Sequence, residues 1–158
     1  KMKVSEELRA EEKGKAITYI DTKIRFRIGK RTGALTEADL EKVTSLTFEK
    51  YEEGESFEEG VDYSKYPYIS DLTLLAKLTK LEKLVITGNK ITDLKPLVGL
   101  TELQVLDLRR NKITDLSPLA ELKQLKEVSL YANYITMEEV TKLETALPNC
   151  KIFHNADD

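Results

Sequence analysis

Three consecutive segments of this chain repeat one another in register. Residues 69–90 read ISDLTLLAKLTKLEKLVITGNK, residues 91–112 read ITDLKPLVGLTELQVLDLRRNK, and residues 113–134 read ITDLSPLAELKQLKEVSLYANY, a period of 22 residues. A fourth stretch from Ile135 keeps the spacing and loses part of the pattern. One such unit is too small to bury its own apolar face. It stacks on its neighbours, and every turn then buries the same positions.

The columns follow directly. Ile69, Ile91, Ile113 and Ile135 share one, and Leu81, Leu103, Leu125 and Leu147 another. Leu84, Leu106, Val128 and Cys150 form a third, and Ile86, Leu108, Leu130 and Ile152 a fourth. Asn89, Asn111, Asn133 and Asn155 form a polar column. An amide side chain at an inward bend both donates and accepts, so these asparagines are predicted to form a structural ladder that satisfies backbone groups of adjacent turns. Asp71, Asp93 and Asp115 also recur once per repeat. That periodicity predicts a capping role on each connecting segment, not paired acid–base chemistry.

The frame L-x-x-L-x-L-x-x-N resembles the leucine-rich-repeat family, and I-T-D-L-x-P-L looks like its bacterial, internalin-like branch. The resemblance covers residues 69–155. It implies an α/β solenoid, a short right-handed superhelix with a parallel sheet on its concave side and short 3₁₀ or α segments on its convex side.

The frame reaches one step back, with Val43, Leu46 and Phe48 at the positions of Leu81, Leu84 and Ile86 and Tyr51 where the asparagine belongs. Phe48 and Ile86 lie 38 residues apart instead of 22, so about 16 residues are inserted within 51–68. This acidic, tyrosine-rich stretch is a second candidate for a binding edge, since long loops in compact domains are often functional. Its acidic residues lack the ligand spacing of a calcium loop. Upstream, Ile17, Ile20, Ile24 and Ile28 recur at three- and four-residue steps and predict an amphipathic helix over 16–28, ended by Gly29 and Gly33. Thr36 and Asp39 suggest an N-cap for a short helix over 37–43. The run from Ile24 to Thr36 resembles the helical cap that precedes many bacterial repeat domains. The expected organisation is a helical cap over 1–35 and repeats over 36–158. Within these, 36–68 is a degenerate first repeat carrying the insertion, 69–134 are full repeats, and 135–158 is a C-terminal capping repeat. Met137, Val140, Leu143 and Leu147 predict a longer helix over 137–146.

Side chains alternate across a strand, so the residues between the inward columns face the concave side. One such column is Ser45, Lys83, Val105, Glu127 and Asn149. The next is Thr47, Val85, Asp107, Ser129 and Lys151, and the third is Glu49, Thr87, Arg109, Tyr131 and Phe153. Arg110 and His154 fall in a fourth, at the rim. Tyrosine and arginine are enriched where binding energy concentrates. Arg109, Tyr131, Phe153, Asp107, Arg110, Thr87 and Lys83 are therefore the candidate partner-binding residues.

Composition excludes several classes. With 41% hydrophobic and 34% charged residues in a 158-residue chain, neither disorder nor a fibre is expected. No apolar run approaches the roughly 20 residues of a membrane-spanning helix. The net charge is −3, but residues 1–33 carry ten Lys/Arg against five Asp/Glu, and residues 34–68 carry three against ten. A basic face of the kind nucleic-acid binders present is not expected. The single cysteine, Cys150, stands in an inward column, where a thiol behaves as a small hydrophobe. With only His154 near it, no nucleophile is assembled. No phosphate loop or zinc motif occurs, so neither cofactor nor metal is expected. The chain begins at Lys1, not methionine, which leaves a removed leader open. The resemblance implies a monomeric, non-catalytic module that binds another protein, at a bacterial surface or secreted. The alternative is an intracellular scaffold or regulatory subunit.

Overall fold

A computed structural model of the chain describes residues 2–50 and 66–156, with side chains from residue 11 onward. Five strands, β1 (Ser45–Glu49), β2 (Lys83–Thr87), β3 (Val105–Asp107), β4 (Glu127–Ser129) and β5 (Lys151–Phe153), form one parallel sheet in sequence order. Parallel neighbours need a return path behind the sheet. Here it is a 3₁₀ segment in each of three turns, at Thr73–Lys77, Lys95–Leu97 and Ser117–Glu121. These stack on one another, and the last packs on a helix. Asp71, Asp93 and Asp115 accept the backbone N–H of Thr73, Lys95 and Ser117 at 2.8–2.9 Å, tying off one exposed donor at the start of each segment.

Between sheet and return path lies a single apolar core running from Ile20 to Leu147. Leu84, Leu106 and Val128 are buried in adjacent register, as are Ile69, Ile91 and Ile113 behind them. Truncating any one leucine to alanine would cost about 2–5 kcal/mol.

At the N-terminus, α1 (Met2–Ile28) is much longer than the 16–28 stretch that apolar spacing marks out. Its first half has no apolar stripe. It is rich in good helix formers and carries an i,i+4 pair, Lys15–Glu11 at 2.7 Å. Ala16, Ile20 and Ile24 are buried against the first repeat, whereas Ile17 points outward and is not part of the buried face. The stripe runs through Ala16, Ile20 and Ile24 in single i+4 steps, and the half-buried Tyr19 fills the place expected of Ile17. Gly29, at φ +70, takes the left-handed turn that ends the helix. Next, α2 (Glu37–Leu40) starts in a reciprocal box: Thr36 Oγ1 accepts the Asp39 N–H while an Asp39 carboxylate oxygen accepts the Thr36 N–H. It is a single turn, shorter than the expected 37–43. Val43 follows through a turn and enters the core ahead of β1.

At the other end, α3 (Met137–Ala146) replaces the 3₁₀ segment, with Thr136 as N-cap. It shifts the last strand. Glu127 lies beside Lys151 and Val128 beside Ile152, an offset of 24 residues where the two turns before it have 22. An α-helix rises only about 1.5 Å per residue, against about 2.0 Å for 3₁₀, so the same width of turn takes more chain. The expected pairing of Cys150 with Val128 and of Ile152 with Leu130 is thereby corrected. Cys150 lies ahead of β5, half-buried against the core edge.

Asp71 also accepts a salt bridge from Lys13 of α1 at 2.7 Å, so one carboxylate joins the first helix to the first full repeat. That ammonium and the Thr73 hydrogen bonds hold its carboxyl down at about 2. A group with a depressed folded pKa stabilises the protein above its unfolded value and loses that contribution as pH falls through the folded one. Wild type is therefore expected to melt above Asp71→Asn at pH 7, with the gap closing between about pH 4 and pH 2. Thermal melts of both proteins across that range check it; a gap that stays constant would contradict the assignment.

Candidate functional site

At the end of each strand the chain bends inward, and the ladder asparagines meet it there. Asn111 Oδ1 accepts the Ile91 N–H at 3.1 Å, and its amide donates to Ile86 O at 2.7 Å and Leu108 O at 2.9 Å. Asn89 accepts from Ile69 N and donates to Phe48 O and Thr87 O. Asn133 accepts from Ile113 N and donates to Leu108 O and Leu130 O. Each amide thus binds its own turn and the carbonyl of the preceding strand. Asn155 does not take the next rung. With β5 displaced by two residues, its Oδ1 accepts the Ala132 N–H at 2.8 Å and its side chain is exposed.

The residue before each ladder asparagine has positive φ: Gly88 at +68, Arg110 at +57 and Ala132 at +57. At position 88 only glycine fits, because a Cβ there would lie 1.7 Å from Lys50 O. The same turn lifts Arg110 to the rim.

On the open face of the sheet, Arg109 chelates Asp107. Its Nε donates to Asp107 Oδ1 at 2.9 Å and Nη2 donates to Oδ2 at 2.7 Å. The Arg109 N–H donates to the same carboxylate at 3.1 Å. Asp107 is mostly covered and Arg109 half exposed, so the carboxylate fixes the base of the guanidinium and leaves an edge to solvent. Tyr131 stands exposed on the adjoining turn, where the Arg110 N–H donates to Tyr131 O. Lys83 is exposed at the start of β2.

Two of the sequence-derived candidates stand elsewhere than expected. Thr87 is only 5% exposed, and its Oγ1 is buried with no hydrogen-bond partner among the described residues. It is paired with Glu49 on one side and its turn continues onto Arg109 on the other. A short β-branched side chain between two long ones is overtopped and does not reach a partner. Val85, on the same face, is buried too. Phe153 is exposed but pairs with Ser129, not Tyr131, so the aromatic pair is staggered across two columns. Burial, then Glu127, pushes the Cys150 thiol up, opposite to what a nucleophile needs. His154 Nδ1 accepts the Ala156 N–H. Among the described residues no three His, Cys, Asp or Glu gather as metal ligands, and no helix is long and apolar enough to cross a membrane.

Sequence reasoning did not find the pairing at the near end. Tyr68 and Tyr66 fall in the expected insertion, most of which (51–65) lies outside the described residues. Tyr66 stacks on Tyr19 of α1 with centroids 5.1 Å apart. Lys50, nine-tenths buried, donates to Tyr66 O and holds its Nζ 3.9 Å from the Tyr68 ring centroid. Lysine and tyrosines sit 16 and 18 residues apart, so no local pattern joins them.

Residues 101–145 match the family model described as leucine-rich repeats (2 copies). No curated protein matches the chain. Among solved structures, an internalin from Listeria monocytogenes is similar with a TM-score of 0.63 and 24% identity, over 88% of this chain and 44% of that one. A leucine-rich-repeat protein from Leptospira interrogans is similar with a TM-score of 0.50 and 32% identity, over 54% of this chain and 22% of that one. The chain therefore spans less than half the length of either. The likeness establishes the fold as a leucine-rich-repeat solenoid of the internalin kind.

The different surroundings of Asn111 and Asn155 make a direct comparison. Asn111→Ala strands a buried N–H and buried carbonyls and is expected to cost about 2–4 kcal/mol. Asn155→Ala loses one exposed bond and should cost under about 1 kcal/mol. Urea denaturation of the two variants measures both; equal losses would put the last turn back at an offset of 22.

Proposed function

We propose that this chain of leucine-rich repeats, folded as in an internalin, is a non-catalytic interaction module that takes another protein on the open face of its sheet. One observation carries the reading. On a surface where neighbouring positions change freely from turn to turn, Arg109 is held in place by a chelating carboxylate beside an exposed Tyr131. A guanidinium already fixed in its own structure loses little freedom on binding, and an aromatic side chain beside it supplies apolar area at low entropic cost. Lys83, Arg110 and Phe153 extend the face along the sheet, and Asp107 acts through Arg109. Thr87, being covered, is left out of the contact. The bacterial source of both solved relatives supports a bacterial surface or secreted setting, and an intracellular scaffold would use the same face.

The test is capture of a partner by immobilised wild-type protein beside Arg109→Ala/Tyr131→Ala. The double variant is expected to lose the partner while its unfolding free energy stays within about 1 kcal/mol of wild type, as exposed substitutions do. Retained capture by the folded variant would contradict the assignment.

A further inference from the structure

The sheet has two outer strands, β1 and β5, and their edges differ. At β1, Arg27 of α1 donates its Nε to Ser45 O at 3.0 Å, so part of that edge is covered. Among the described residues no side chain covers β5 in the same way. Lys151 N–H donates to Lys126 O and Phe153 O accepts the Leu130 N–H, so residues 151 and 153 turn their backbone to β4. Alternation then turns the N–H and C=O of Ile152 outward, with Cys150 O and the His154 N–H along the same edge. We propose that this edge is a self-association site: two copies of the chain join β5 to β5, antiparallel about a twofold axis at Ile152, as a weak dimer. The inference does not depend on what the open face binds.

The edge is complementary to itself. Ile152 set opposite Ile152 of the other copy makes a pair that exchanges both of its N–H···O bonds. The next such pair brings each His154 N–H to the Cys150 O of the other copy, while the Cys150 N–H stays on Leu147 O in its own turn. The side chains agree with this register. Lys151 and Phe153 both stand exposed on the open face. In the antiparallel pair each Lys151 lies directly across from a Phe153, at a Cα spacing of about 4.5 Å. Ammonium then meets ring twice, and no like charges are opposed. The inward side is complementary as well. Leu46, Leu84, Leu106 and Val128 are buried along one register column, whereas Ile152, the next member, is only half-buried. A second Ile152 laid against it supplies the neighbour that each earlier strand already has.

The short length of β5 favours a second copy over a foreign peptide. An extended peptide would gain the same few backbone bonds and lose its chain freedom in doing so. In a second copy β5 is already held straight by β4, so the seam forms without that cost. An open edge is otherwise a template for uncontrolled pairing. Twofold pairing consumes the β5 edge of both copies and closes the assembly at two. The contact lies at the small end of the interface range, so the chain is a monomer in dilute solution, as the family resemblance implies, and pairs only when concentrated.

Sedimentation equilibrium of the full chain, from roughly 10 µM to 1 mM, tests this. The mass is expected to climb with concentration toward twice that of the monomer. Ile152→Pro removes an N–H that the monomer does not use and should weaken dimerisation about tenfold or more. Two substitutions at exposed Phe153 leave the core alone and carry the decision if the proline variant does not fold. Phe153→Lys opposes like charges across the seam and should weaken the dimer about tenfold. Phe153→Glu sets a carboxylate against Lys151 and should dimerise at least as well as wild type. Net charge alone predicts the reverse order, because the chain stands at −3 and an added carboxylate increases its self-repulsion. Arg109→Ala/Tyr131→Ala should leave the dimer unchanged, whatever it does to partner capture. A mass that stays monomeric throughout would overturn the proposal. So would a folded Ile152→Pro that dimerises like wild type, or a Phe153→Glu dimer weaker than that of Phe153→Lys. Loss of the dimer in Arg109→Ala/Tyr131→Ala would move the contact to the open face and overturn it too.

Discussion

Where each strand of this solenoid ends, the backbone turns into the core and carries unpaired carbonyl and amide groups away from water. Burying such groups without partners would cost about 1–3 kcal/mol each, a large fraction of what a domain this size has to spare. After β2, β3 and β4 one asparagine per turn meets that demand. Its amide donates to its own turn and to the preceding strand, and its oxygen accepts the N–H that opens the connecting segment leading into its own strand. Asparagine alone among small side chains offers both donors and an acceptor in one plane. The leucine columns supply most of the favourable burial, but leucines alone would stack with many registers. The asparagine bonds select one.

That fixed register determines what lies outside the core. It aligns Lys90 with Lys112 at the rim, and it sets Arg109 beside Asp107 and one turn from Tyr131. A repeat keeps its inward positions and the asparagine, while the outward ones are free to change. The two faces then differ in chemistry. The open face mixes a chelated arginine with aromatic side chains, whereas the rim gathers cations around one tyrosine.

Much of this was legible in the chain itself, and the rest was not, for identifiable reasons. The period gave the strands, the inward leucines, the Asp caps and α3, because each depends on residues within one turn. The last strand was misplaced by two residues because Cys150 and Ile152 are both acceptable inward residues and the apolar pattern does not distinguish them. The length of α3 decides it, since a helix uses more chain per ångström than the segments it replaces. Thr87 and Val85 read as surface by alternation alone. Their burial depends on how tall their neighbours are, which alternation does not encode. The first half of α1 lacks an apolar stripe and so left no periodic trace. The rim joins Lys50, Tyr68 and Lys112 across three turns, a juxtaposition visible only once the register is known.

The register of the repeat stack depends on the backbone amides that the asparagines hold. Native-state hydrogen exchange, followed by NMR, reads them one at a time. The N–H groups of Ile69, Ile91 and Ile113, each donated to an asparagine oxygen, should exchange as slowly as that of the core-strand residue Leu84, opening only with the whole repeat stack. Exchange of those three at the rate of an exposed turn amide such as that of Thr101 would show that the bends are not tied, and would contradict the central claim.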